Sequence, residues 1–278
     1  MNNNNSILLV DPNFDPNAAS HSNLLLKITA DTFSYVIVNA ENKRVEVLYD
    51  RQNLQDQKQE LMRLLHADPY LSLDFQSVTV CSYTINSISI PQDFYNETEL
   101  ASYTPYFTDL EHYSNTLNTI EITDMPFKTV FLFPQVVEDA LTTYWPNARK
   151  FEQTAPLLSD LKHQMGFHLT IDFTAGSFFA MLVKNGELIF QNFFMTEDAD
   201  EFTYYLMLIF KQLQLDSEQI DVLVSGIINE GDPQLDILRK YFRSVEWNQA
   251  NPRQLEDSVL EDMPAHYYTS LLALQLCE

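Results

Sequence analysis

The chain has 278 residues, is 45% hydrophobic and 13% aromatic, and carries 39 acidic against 16 basic side chains, a formal charge of −23. This is enough apolar material for one large or two small packed domains. The negative field excludes nucleic acid and anionic membranes as partners, because both would be repelled.

Residues 24–30 and 33–39 read as two strands joined by a tight turn, and 43–49 alternates as a third. A helix follows from about Leu54 to His66, with Leu61, Leu64 and Leu65 on one face, then a strand at Val78–Tyr83. Residues 85–128, rich in Tyr, Thr and Asn, read as an inserted subdomain holding one helix at 97–110. There, Tyr103, Tyr106, Phe107 and Tyr113 form either a small satellite core or an exposed partner-binding patch. The first half closes with a strand at Thr129–Phe133 and a helix at Pro134–Tyr144. A segment at Arg149–Gln153 and a helix at Ala155–Met165 follow.

The same order then recurs. Strands are predicted at 167–173, 177–183 and 187–194, the last two joined by Asn185-Gly186, a hairpin turn pair. Thr196 is placed to cap a helix whose first turn carries Glu197, Asp198, Asp200 and Glu201, which suit its positive end. Its apolar body is Phe202–Leu215, where Tyr204-Tyr205 reads as part of a core stripe. A strand at Asp221–Ile227, a helix opened by Pro233-Gln234, a strand at Ser244–Trp247 and a helix at Pro264–Leu276 complete the second half. Pro91-Gln92 is taken as the counterpart of Pro233-Gln234. Thr29 is set opposite Asp172, an offset of 143 residues.

Two tandem β-β-β-α-β-α-β-α copies match the actin-like ATPase architecture of actin, sugar kinases and Hsp70 chaperones. That is a duplicated ribonuclease H-like α/β fold, with domains at 1–160 and 161–278. The chain most resembles an uncharacterised bacterial domain-of-unknown-function family with this fold. The resemblance is carried by the run Lys184 to Phe193, by Asp200 with Tyr204-Tyr205-Leu206, by Leu223 to Gly226, and by Leu238 to Phe242.

The resemblance implies a phosphate loop after the first strand of each half, with an Asp for Mg²⁺ and water and a Gly that lets backbone N–H groups reach phosphate. Asp172, Thr174, Gly176 and Ser177 fit that pattern, and Ser225-Gly226 stands at the adenosine motif with one glycine of two. In the first half Thr29 takes the acid's place and the turn Ala30-Asp31-Thr32-Phe33 has no glycine; Asp31 is a substitute metal ligand at most. All five glycines lie between Gly166 and Gly231, against roughly 19 for an average chain of this length. Asp172 is therefore either a retained Mg²⁺-phosphate contact or a turn acid accepting backbone hydrogen bonds. Gly226 is either a nucleotide contact or a close-packing point.

The expectation is a non-catalytic binding or scaffolding module with an unknown protein partner. The alternatives are an ATP- and Mg²⁺-binding protein with weak ATPase activity in the interdomain cleft, or a cleft for another small ligand such as a sugar or acyl compound. No catalytic residue and no metal site is assigned. His163 and His168 have the wrong spacing for zinc, Cys81 and Cys277 make no ligand or disulfide pattern, and His266 is placed on the last helix's surface. Ser225 is not in a nucleophile elbow. Residues 1–21 are polar, without a basic n-region, and no run of about 18 apolar residues occurs, so the expected location is the cytoplasm. The acidic excess is spread along the chain and reads as solvated faces or as a docking face for a basic partner.

Overall fold

The apolar runs Leu24–Ile28 and Phe33–Val38 bury residues on both faces of the strands they form, which marks them as central in a covered sheet. The computed structural model describes residues 6–54, 57–122, 125–161, 165–249 and 255–277. The chain divides into two units. The first comprises Met1–Asp160, Gln254–Glu261 and Leu271–Glu278; the second comprises Leu161–Arg253 and Asp262–Ser270.

In the first unit the strands are β1 (Ser6–Val10), β2 (Ser22–Ile28), β3 (Phe33–Asn39), β4 (Val45–Arg51) and β5 (Ser77–Ser82). They are followed by β6 (Ser87–Pro91), β7 (Asn118–Glu121), β8 (Phe127–Phe131) and β9 (Arg149–Glu152). The helices are α1 (Gln57–Ala67), α2 (Gln135–Tyr144) and α3 (Ala155–Leu161). The main sheet runs β1-β4-β3-β2-β5-β9, with β2, β5 and β9 parallel. Leu61, Leu64 and Leu65 of α1 are buried as their spacing predicts.

The second unit has β10 (Phe167–Phe173), β11 (Ser177–Lys184), β12 (Glu187–Met195), β13 (Asp221–Gly226) and β14 (Ser244–Trp247). Its helices are α4 (Ala199–Leu213), α5 (Pro233–Tyr241) and α6 (Thr269–Leu272). The sheet order β12-β11-β10-β13-β14 repeats β4-β3-β2-β5-β9 strand for strand. Its core joins Leu169, Ile171, Phe178, Leu182, Phe202, Leu206, Val222 and Leu238. Asn185 and Gly186 both have positive φ, 50° and 81°, as the hairpin turn requires.

Several expectations are corrected. The strand expected at Thr129–Phe133 as the fifth of the first sheet is β8, the centre of a separate three-stranded sheet β6-β8-β7 within the insert. β9 instead fills the sheet edge beside β5, with Thr79 opposite Arg149. The true counterpart of Pro233-Gln234 is thus Pro134-Gln135, which opens α2 in the same place; Pro91-Gln92 leads only into a short 3-10 turn at Gln92–Phe94. The helix expected at 97–110 is a 3-10 segment, Glu97–Tyr106, with Pro105 inside it. The insert has its own core around Ile90, Phe107, Val130 and Leu132, against which Tyr103 and Tyr113 pack, while Tyr106 stays exposed.

Asp198, not Thr196, caps α4: its Oδ1 accepts from the N–H groups of Asp200 and Glu201 at 2.9 Å. The closing helix is a turn followed by α6 and a 3-10 segment, Ala273–Leu276. Residues 162–164 of the helix expected to Met165, His163 among them, lie outside the described residues. Among the described residues no helix is long and apolar enough to cross a membrane.

Candidate functional site

Asp172 lies on β10, next to Ser225 in the parallel register with β13. Its carboxylate is 3% exposed. One oxygen accepts from Ser225 Oγ at 2.7 Å and the other from Ser270 Oγ at 2.8 Å. The chain then turns through Thr174–Ser177. Thr174 N–H donates to Ser177 O at 2.9 Å, and the two side-chain hydroxyls lie 2.5 Å apart. Gly176 does not have a positive φ, and its carbonyl accepts from Thr196 N–H at 3.0 Å.

Gly226 has φ +85°, and a Cβ there would stand 2.0 Å from Phe173 O. Its glycine is therefore demanded by the approach of β13 to the end of β10. Its N–H donates to His266 O, and Phe173 O accepts from Ile227 N–H. His266 is not a surface residue: it is 7% exposed, stacks on Trp247 with centroids 3.9 Å apart, and its Nε2 lies 2.8 Å from Ile228 O.

The first copy aligns differently from the sequence expectation. Ile28 pairs with Phe33 at the mouth of the first hairpin, and Phe173 with Phe178 at the mouth of the second. Thr29 N–H donates to Thr32 O as Thr174 N–H does to Ser177 O. The copies are therefore 145 residues apart, not 143. The β-bulge confirms it, falling between Ile37 and Val38 in one copy and between Leu182 and Val183 in the other. Hydrogen-bonded pairing sets the alignment, and it turns the Thr-Ala-x-Thr-Phe of 29–33 onto the Thr-Ala-Gly-Ser-Phe of 174–178. The residue in the place of Asp172 is then Lys27, Thr29 matches Thr174, and Asp31 stands where Gly176 does.

The first turn is closed on itself. Thr29 Oγ1 donates to Asp31 Oδ1 at 2.7 Å, lies 2.7 Å from Thr32 Oγ1, and accepts from the N–H groups of Asp31 and Thr32 at 3.3 and 3.0 Å. Those are the N–H groups a phosphate cradle would need. Phe33 behind them is fully buried. A magnesium-bound phosphate requires acids and open amides from both copies. Here one copy offers a lysine and a closed turn, and the other a carboxylate capped by two hydroxyls, so the donor set does not fit that group. Among the described residues no cluster of three or more His, Cys, Asp or Glu is arranged to hold a metal.

One acid was not singled out from the sequence. Glu152, at the end of β9, is wholly buried. Its Oε2 accepts from the N–H and hydroxyl of Thr154 at 2.8 and 2.7 Å, capping the approach to α3, while Oε1 has no hydrogen-bond partner. Burial pushes its carboxyl up to about 7, against the lowering effect of the bonds from Thr154 and Ala155. A single Glu in a short edge strand gives no local signal of this.

A pocket of about 710 Å³ lies elsewhere in the first unit, where β5 and β9 begin, lined by Phe75, Tyr144, Trp145 and Arg149 among others. The Arg149 guanidinium is held by Thr79 Oγ1 and Cys277 O.

Two copies of one five-stranded sheet with matched crossover helices define a protein of the actin-like ATPase fold. A Bacteroides thetaiotaomicron protein with an actin-like ATPase fold and unknown function is similar over 95% of this chain and 99% of its own, at 18% identity and a TM-score of 0.76. A chain of the PilM–PilN type IV pilus biogenesis complex is similar over 92% of this chain and 98% of its own, at 14% identity and a TM-score of 0.57. No functionally curated protein matches. The chain belongs to the family described as protein of unknown function (DUF3822), whose model matches residues 11–245.

Proposed function

We propose that this protein is a non-catalytic binding or scaffolding module of the cytoplasm that has kept the actin-like frame and lost its phosphate chemistry. The observation that carries the reading is Lys27 at the position of Asp172. A lysine there cannot hold Mg²⁺ or orient an attacking water, the work an acid does at this place in a phosphoryl-transfer site. The closed turn at 29–32 and the capped carboxylate of Asp172 support the same reading. The frame then serves to present surfaces, and with a charge of −23 the partner it suits is a protein with basic character.

Calorimetric titration of the whole chain with ATP and Mg²⁺ tests this. No heat of binding at millimolar nucleotide is expected, and no hydrolysis above a D172A control. Saturable binding, or turnover abolished by D172A, would overturn the reading in favour of a nucleotide site built on Asp172, Thr174, Gly176, Ser177, Ser225 and Gly226.

A further inference from the structure

The two copies differ at the amino ends of their parallel strands. The connections from α1 into β5 and from α2 into β9 are residues 68–76 and 145–148. Their counterparts in the second copy are 214–220, between α4 and β13, and 242–243, between α5 and β14, each two residues shorter. The two longer connections line the pocket of about 710 Å³ in the first unit. Because β2, β5 and β9 run parallel, it lies at the end of the sheet opposite the turn of Thr29. Ligands of open α/β sheets ordinarily sit beyond the carboxyl ends of the strands. This pocket is at the amino ends, and none of its lining residues belongs to the turns that carry Asp31 and Asp172.

Both walls are apolar and both are fixed. On one side stand Leu71, which is buried, and Phe75, which is half-buried; on the other stand Tyr144 and Trp145, also half-buried, with ring centroids 6.0 Å apart. The first connection is tied at each end: Tyr70 N–H donates to Asp68 Oδ1 at 2.9 Å, and Gln76 N–H to Ser22 O at 2.9 Å. In the second, Trp145 N–H donates to Leu141 O at 2.8 Å and Ala148 N–H to Trp145 O at 2.9 Å. The Tyr144 hydroxyl lies 2.9 Å from His66 Nδ1, which fixes its ring. A volume of this size suits a small organic ligand, and tethered walls lower the cost of ordering on binding.

Among the described residues that line the pocket, Arg149 is the one base and Asp74 the one acid. Arg149 is anchored by neutral acceptors: Nη1 donates to Cys277 O at 3.1 Å and Nη2 to Thr79 Oγ1 at 2.9 Å. These bonds hold the guanidinium in place and leave its other N–H donors for an anion. No acid among the described residues pairs with it, in a chain that carries 39 acids against 16 bases. A planar guanidinium suits a planar carboxylate. One positive charge balances one negative charge, and the field of a chain at −23, with Asp74 in the same lining, opposes a second.

We propose that this pocket is a binding site for a small aromatic monocarboxylate, with the carboxylate on Arg149 and the ring system between Phe75 and the Tyr144-Trp145 pair. Burial of the flat apolar body supplies most of the affinity, and the guanidinium selects the charge. This goes beyond the binding-module reading and does not depend on it. The nucleotide titration decides that reading, and an aromatic acid decides this one.

The probe is 2-naphthoate, titrated into the whole chain by calorimetry and mapped by amide chemical shifts. Saturable binding is expected, with the shifts at residues 71–78 and 144–149. 2-Naphthamide has the same rings and no charge, and should bind at least roughly tenfold more weakly. 2-Naphthyl phosphate, a dianion, should also bind more weakly than the carboxylate. Arg149→Gln should bring naphthoate down to the affinity of the amide and leave the amide unchanged, which a variant with a collapsed pocket would not do. The comparison of acid with amide on the unaltered chain holds whether or not that variant folds. Four results would each overturn the proposal: no saturable binding at millimolar naphthoate, shifts centred on 174–177 and 225–226 in place of the pocket, an amide or phosphate bound as tightly as the carboxylate, or an R149Q chain that weakens acid and amide alike.

Discussion

Replacing Glu152 with Gln keeps the shape of a buried side chain and removes its charge. Folding lifts the Glu152 carboxyl from its ordinary 4.5 to about 7. The folded chain then holds a proton that the unfolded chain has released, and stability falls as pH rises through that window. Below about pH 4.5 both states are protonated and the charge costs nothing; above about pH 7 the whole cost is present. A shift of this size corresponds to about 3 kcal/mol. Gln offers Thr154 the same carbonyl acceptor, so E152Q should match wild type at pH 4.5. It should gain progressively to about 2–3 kcal/mol at pH 8, where Glu152 is buried and ionised. Urea denaturation at pH 4.5, 6, 7 and 8, read as the difference between variant and wild type, measures this and cancels the titration of every other group. A difference that is flat with pH, or a variant less stable than wild type at pH 8, would refute the reasoning.

Ser270→Ala removes one of the two hydroxyls that donate to the buried Asp172 carboxylate and should cost about 1–3 kcal/mol in denaturant unfolding. Gly226→Ala forces a Cβ to within 2.0 Å of Phe173 O at a φ of +85°. It should destabilise the second unit by more than about 3 kcal/mol, seen as loss of protection in β10 and β13 by hydrogen exchange. Gly186→Ala, at φ +81° in the hairpin turn, should cost about 1 kcal/mol and leave the β11–β12 pairing intact by the same measurement.

The elements of the second unit were legible because their signals are local. Asn185-Gly186 can close a tight hairpin on its own, and the acids at 197–201 suit a helix start wherever the helix packs. The cap moved two residues, from Thr196 to Asp198, because the helix begins at Ala199 and it is the Asp198 carboxylate that reaches the first free N–H groups, those of Asp200 and Glu201. β1 carried too little pattern to be read, since its five residues become a strand only by pairing with β4. β8 read as a member of the main sheet because an apolar run does not say which neighbours it will find. His266 read as a surface residue because nothing beside it in the chain announces Trp247.

The candidate site was half legible. Asp172, Thr174, Gly176 and Ser177 do form one strand end and turn, and Ser225 lies beside Asp172. Ser270, 98 residues away, holds the other carboxylate oxygen and had no signature. The two turns are offset by 145 residues and not by 143, because residue type does not fix hydrogen-bond register, and a slip along a strand changes which residues are equivalent.

By itself the amino-acid sequence determined that two copies of one β-β-β-α-β-α unit stand in tandem, that glycine is absent from the first turn, and that the surface is strongly acidic. Periodicity, turn chemistry and charge are properties of neighbouring residues. The tertiary structure alone decided that Lys27 stands in the first copy where Asp172 stands in the second, that both oxygens of that aspartate accept from hydroxyls, and that β1 covers the β4 edge of the first sheet. Strand pairing and burial join residues far apart in the chain, and their energies depend on partners that no local stretch contains.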